Sequence, residues 1–102
     1  MKAGAPRYEI QASFFKALGH PRRLQIIHLL SQGRKTVNEI ARILKISQSN
    51  VSQHLAILRS SGIVQYVRKN HNVYYSVSDQ RINELCEMVC DILKSILSRD
   101  YL

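Results

Sequence analysis

The chain has 102 residues, 45% of them apolar, with 15 Lys/Arg against 7 Asp/Glu and a formal net charge of +8. That length predicts one domain spanning residues 1–102, which buries only a modest share of its surface alone and gains from dimerisation. No stretch approaches the roughly 18 consecutive apolar residues of a membrane span, and MKAGAPRYEI lacks the apolar run of a signal peptide; the expectation is a cytoplasmic protein without a membrane partner and, with Cys86 and Cys90 as its two cysteines, without a disulfide scaffold.

Residues 1–7 read as a flexible start closed by Pro6. Tyr8 to Leu18 then places Ile10, Phe14, Phe15 and Leu18 at helical spacing, with Gly19 fitting the C′ position. Pro21 opens a second helix, where its missing N–H costs nothing. Leu24, Ile27 and Leu30 continue the period to about Ser31, Ile26 and Leu29 widen the apolar side, and Gln32-Gly33 ends it. After the basic link Arg34-Lys35, Thr36 caps a short third helix with Glu39 at the capping-box position. Val37, Ile40, Ala41 and Leu44 form its apolar side, and Lys45-Ile46 makes a tight connection to the next helix. Two short helices joined by so short a turn form a helix-turn-helix pattern, here without the glycine often found in the turn.

The fourth helix carries the most chemistry. Ser47 is its N-cap and Gly62 its C′ glycine. Val51, Leu55 and Leu58, at i, i+4 and i+7, form a narrow apolar face. The opposite side carries Ser49, Asn50, Ser52, Gln53 and Ala56, flanked by Gln48 and His54. A solvated helix surface normally carries Glu and Lys, yet Gln48 to Leu58 holds no charge. Ser, Asn, Gln and His are residue types that donate to and accept from base edges. Gln48, Ser49, Ser52, Gln53 and His54 are therefore the expected base-reading residues of double-stranded DNA, with His54 alternatively a flank of the core.

After Gly62 the period changes from 3.6 to 2. Ile63 to Arg68 and Val73 to Val77 predict a β-hairpin with the polar loop Lys69-Asn70-His71-Asn72. Beside a helix-turn-helix, so basic a tip suits a wing on the phosphate backbone. Ser78 is a further N-cap, with Asp79 in the first turn of a last helix running over 79–97, roughly 28 Å long. Its stripe of Ile82, Leu85, Cys86, Met88, Val89, Ile92, Leu93, Ile96 and Leu97 is too wide for one contact. One side can cover its own domain; the other needs a partner, which a symmetric dimer supplies.

Charge is divided along the chain. Met1 to Tyr75 holds twelve Lys/Arg and two acids, Glu9 and Glu39, whereas Ser76 to Leu102 holds three basic and five acidic residues. A basic body points to a polyanion, nucleic acid first and a membrane surface second. Candidates for phosphate and wing contacts are Arg22, Arg23, Lys35, Arg59, Arg68, Lys69, Asn70 and His71, the first two at a helix N-terminus that itself favours anions. Four scattered histidines, no Gly-rich phosphate loop and no clustered carboxylates leave no catalytic constellation, so neither an enzyme nor a cofactor is expected.

The run Lys16-Ala-Leu-Gly-His-Pro-Arg-Arg-Leu-Gln-Ile-Ile resembles the opening signature of the ArsR/SmtB family of repressors. Ser47-Gln-Ser-Asn-Val-Ser-Gln-His-Leu with Leu58-Arg59 and Gly62-Ile-Val, and the segment ending Val73-Tyr-Tyr-Ser-Val, are similar to that family too. The resemblance covers about residues 8 to 97. It implies a mainly α winged helix-turn-helix with a small β-hairpin, ααααββα, dimerising through its first and last helices as a cytoplasmic repressor that an inducer releases from a palindromic operator. The family's metal sites do not carry over: Thr36 and Asn38 stand at the positions of its third-helix cysteines, and Asp79, Arg81, Ile92 and Ser95 at those of its last-helix zinc ligands, so no metal is expected.

Cys86 and Cys90, i and i+4 on the last helix, leave three readings open: small hydrophobes at a dimer interface, a thiol-based sensor, or part of a metal site that would need more ligands. Glu87 and Asp91 nearby would raise a thiol pKa. Outside the specific-repressor reading stand a nucleoid-type binder without sequence preference and a winged-helix module for protein contact. The inducer is not named by the sequence.

Overall fold

A computed structural model describes residues 5–97. The element order is α1 (Ala5–Leu18), α2 (Pro21–Ser31), α3 (Val37–Leu44), α4 (Gln48–Ser60), β1 (Val64–Lys69), β2 (Asn72–Val77) and α5 (Gln80–Leu97). The helix expected from Tyr8 begins at Ala5 instead, because Pro6 is tolerated in a first turn and does not exclude helix there. Of the predicted flexible start, residues 1–4 lie outside the described residues. Gly19 follows α1 without the left-handed turn expected of it; Gly33 and Gly62 are the described glycines at positive φ.

Side chains from α1 to α5 meet in one core. Ile26, Ile27 and Leu30 of α2, Ile40 and Ala41 of α3, and Val51, Leu55 and Leu58 of α4 form its centre. Ala17, Leu18, Ile63, Val64 and Ile82 close it. The i, i+4, i+7 reading of α4 is met residue for residue. In α2, Ile27 and Leu30 of the predicted stripe are buried with Ile26 beside them, while Leu24 is exposed. The capping box at α3 is complete. Glu39 N–H donates to Thr36 Oγ1 at 3.1 Å and Thr36 N–H to Glu39 Oε1 at 2.9 Å. That pairing holds the Glu39 carboxyl below its ordinary pKa, chiefly through the Thr36 backbone N–H.

The α3–α4 turn closes without glycine because Lys45 adopts the left-handed conformation, φ 57° and ψ 44°, letting Ile46 N–H reach Ala41 O at 3.1 Å. Helix α4 ends in a Schellman motif. Gly62, at φ 75°, donates to Arg59 O and Ile63 to Leu58 O, both at 2.9 Å, and Ile63 and Leu58 are buried together in the core.

Strands β1 and β2 pair antiparallel from Val64↔Val77 to Lys69↔Asn72. The predicted four-residue loop is therefore a two-residue turn, with Lys69 and Asn72 inside the ladder. Asn70 and His71 both take positive φ, 51° and 67°, as a two-residue hairpin turn of matching twist requires; Asn and His are among the residues that tolerate this region. Lys35 adds a short third rung, exchanging backbone hydrogen bonds with Tyr75 at 3.0 and 2.8 Å.

The predicted Ser78 cap is also corrected. Asp79 Oδ1 accepts from Arg81 N–H at 2.9 Å, at the start of α5, while the Ser78 hydroxyl turns back to the carbonyls of Gly62 and Ile63. Leu85 and Cys86 still pack against the core, but beyond them Met88, Val89, Ile92, Ile96 and Leu97 of α5 are exposed, Ile96 at 69%. On α1, Tyr8, Ile10 and Phe15 are exposed, Phe15 at 57%. Among the described residues, no helix is long and apolar enough to cross a membrane.

Candidate nucleic-acid interface

Because Val51, Leu55 and Leu58 lock one side of α4 into the core, its other side must face outward. Gln48, Ser49, Asn50, Ser52, Gln53 and Ala56 are all exposed. Ser47 caps the helix by accepting from Asn50 N–H at 3.1 Å, and Ser49 Oγ lies 3.2 Å from Ser47 Oγ. Gln48 is not free: its Nε2 donates to Asn38 Oδ1 at 3.0 Å. Asn38, on α3, carries no signal in the sequence that would couple it to α4.

His54 does not share this outward face. It is half-buried, its ring centroid 4.6 Å from that of His20. Burial, and then the neighbouring His20, Arg23 and Arg22, push its pKa below the ordinary histidine value, and its enclosed Nδ1 has no hydrogen-bond partner. His20 meanwhile caps α2, its Nδ1 accepting from Arg22 N–H at 3.1 Å. That bond occupies one of the backbone donors expected to draw a phosphate to this helix end.

Arg23 is likewise turned inward. Its Nη1 donates to Ala17 O at 2.9 Å, bonding the start of α2 to the last turn of α1. Arg22 is half-buried, with Nη1 on Gln25 Oε1 at 3.1 Å. Lys35 is half-buried through its backbone bridge to Tyr75. Arg59, Arg68, Lys69, Asn70 and His71 are exposed.

Tyrosines that the sequence reading passed over organise several of these cations. Arg59 stacks on the Tyr66 ring at 4.3 Å, and Arg68 approaches the same ring at 5.9 Å. Arg34 lies over Tyr74 at 4.8 Å. Tyr66 and Tyr75 are cross-strand partners with centroids 5.7 Å apart. The Arg59–Tyr66 stack thus joins the end of α4 to the hairpin, in a geometry that is attractive and leaves the guanidinium edge open for a further acceptor. The strand pattern that places Tyr66, Tyr74 and Tyr75 within the hairpin was the signal available for finding them.

Acid near histidine has a defined consequence. The fold favours neutral His54, so its contribution is full above the unfolded pKa near 6.5 and is lost as pH falls through the lower folded value. The melting temperature is expected to drop more between about pH 7.5 and about pH 5.5 in the wild type than in His54→Gln. Equal slopes in the two proteins would remove His54 as the titrating group.

The remaining candidates lie on α5. Cys86 is half-buried against the core and Cys90 is exposed; both are free thiols. Burial, more than any charge, raises the Cys86 pKa, with Cys90 the second cause. This differs from the expected effect of Glu87 and Asp91. Asp79 is committed to Arg81, with oxygens at 2.7 and 3.1 Å from the guanidinium, and that hydrogen bonding lowers its carboxyl to about 2. Among the described residues no group of three or more His, Cys, Asp and Glu could hold a metal ion.

Comparison with known proteins bears on the same segment. The family model described as bacterial regulatory protein, arsR family, matches residues 20–66, from the cap of α2 to Tyr66. A transcriptional repressor SmtB homolog of Synechocystis sp. is 41% identical over 83 residues, which are 81% of this chain and 63% of that protein. The Mycobacterium tuberculosis HTH-type transcriptional regulator Rv0081 is 35% identical over 94 residues, 91% of this chain and 82% of that one. Its crystal structure superposes with a TM-score of 0.85 at 34% identity, covering 93% and 96% of the two chains. The solution structure of a homodimeric winged helix-turn-helix DNA-binding domain from Mycobacterium bovis gives 0.83 at 28% identity, covering 100% and 98%. With its helix-turn-helix inside the family match and its whole fold shared with these regulators, the chain belongs to the arsR family of bacterial regulatory proteins and is a transcriptional regulator of winged-helix DNA-binding fold.

Proposed function

We propose that the protein is a homodimeric, sequence-specific repressor acting in the cytoplasm on double-stranded operator DNA. The observation that carries this reading is the uncharged, exposed face of α4. Gln48, Ser49, Ser52 and Gln53 offer donors and acceptors to base edges in the major groove. Arg22, Lys35, Arg59, Arg68, Lys69, Asn70 and His71 supply phosphate and wing contacts. Arg23 and His54 support α4 and α2 from within.

The outward apolar side chains of α1 and α5 are the surface on which a second copy packs, with 79–97 as the dimerisation helix. A twofold dimer places two α4 helices about 34 Å apart, so the operator is an imperfect palindrome. The inducer is not a metal at the family's standard positions. Thr36 and Asn38 bring a hydroxyl and an amide, and Arg81 sets a guanidinium against Asp79.

The test is a gel shift on DNA upstream of the protein's own gene, titrated with salt. If about six to ten phosphates are contacted, log affinity falls with log salt at about 0.9 per phosphate. A footprint without a boundary, with equal affinity for random duplex, would favour a nucleoid-type binder. No affinity for any duplex would leave a module for protein contact.

A further inference from the structure

Gln48 opens α4 and Asn38 sits in the first turn of α3, and their amides meet across the helix-turn-helix at 3.0 Å, Gln48 Nε2 donating to Asn38 Oδ1. Both side chains are exposed, so water competes for the bond and it contributes little to folding. Its consequence is directional. A free glutamine amide can flip and offer either end to a base. Here one Nε2 proton is taken by Asn38, leaving Oε1 and the second Nε2 proton to face outward as one acceptor beside one donor.

That pair matches a single purine edge. Adenine shows N7 as acceptor and N6–H as donor in the major groove, and a glutamine amide reads both at once. Guanine shows two acceptors, N7 and O6, so Oε1 would oppose O6. With Nε2 tied to Asn38, the outward acceptor–donor pair matches adenine and not guanine.

We propose that Asn38 is a positioning residue for specificity: by accepting from Gln48 it holds the amide in the orientation that selects adenine at one base pair of each half-site. This rests on the DNA-reading role given to α4 above. It adds to that role a residue on a different helix and the base it commits the site to.

The test is selection from a randomised duplex library with the full-length protein and its Gln48→Ala, Asn38→Ala and Asn38→Asp variants, each first shown to melt as the wild type does. The position whose preference Gln48→Ala relaxes identifies the base pair read by Gln48, and the wild type is expected to select A·T there by about tenfold or more. Asn38→Ala should relax the same position and no other. Asn38→Asp keeps an acceptor and no donor at residue 38, so it should retain adenine there even though the added negative charge weakens binding to every sequence. A wild-type preference for guanine at that position, an adenine preference untouched by Asn38→Ala, or its loss in Asn38→Asp would each overturn the inference while leaving specific binding intact. A wild type that selects no sequence would defeat the specific-repressor reading and this inference with it.

Discussion

Replacing Ser52 and Gln53 together by alanine is expected to remove most of the preference for the operator, leaving what Gln48 reads and weak binding to any duplex. Both side chains are exposed on α4, one turn on from Gln48 and on the side opposite Val51, Leu55 and Leu58. Alanine is the better helix former at each position, so the helix and the melting temperature should be preserved. A good base contact is worth about 1–3 kcal/mol of discrimination. Losing two therefore removes about 2–6 kcal/mol, roughly 30-fold to 10⁴-fold in the ratio of operator to random-duplex affinity. Competition gel shifts at fixed salt measure that ratio. The salt dependence should not change, because no cation has been removed. An unchanged ratio would mean that the bases are read elsewhere, from Gln48 and Ser49 or from the hairpin.

That face was legible before any coordinates because it is the complement of a periodic one. Three apolar residues at i, i+4 and i+7 define which way α4 turns, and their burial puts everything opposite them in solvent. What resisted reading depends on partners distant in sequence. His54 sits on the flank of the helical wheel, where periodicity does not decide between groove and core. The decision comes from the His20 ring packed against it. Arg23 looks like its neighbour Arg22 in sequence and differs because Ala17 O lies within its reach.

The hairpin was misjudged for a different reason. Polar composition marks Lys69 to Asn72 as loop, but a ladder needs backbone partners and not apolar side chains. Two residues at positive φ suffice to turn the chain, so the pairing runs to Lys69↔Asn72. At α5, Ser78 and Asp79 are both good caps by type, and only the tie of Ser78 to Gly62 and Ile63 leaves the role to Asp79. The Asn38–Gln48 contact had no signature at all. It exists because left-handed Lys45 folds the start of α3 towards the start of α4.

Leu55→Ala should cost more stability than any change on the exposed face. Leu55 is 1% exposed and belongs to the core shared by all five helices. Truncating a fully buried leucine removes its transfer free energy and leaves a cavity, at about 2–5 kcal/mol. For a domain of this length total stability is about 5–15 kcal/mol, so the melting temperature should fall on the order of 10–40 °C. Ile57→Ala, on the same helix but 41% exposed, should cost less than about 1 kcal/mol. The comparison must be made at one protein concentration, since a dimer's apparent stability rises with protomer concentration. It also separates anchoring from reading. The exposed residues of α4 are untouched in Leu55→Ala, so operator DNA at about 100 times its Kd should restore about 2.7 kcal/mol by binding the folded form alone. In Ser52→Ala with Gln53→Ala the same duplex should give far less protection, close to that of random DNA. A Leu55→Ala protein that melts within about 1 kcal/mol of the wild type would show that α4 is not held by its apolar face, and with that the reason its opposite face points outward would fail.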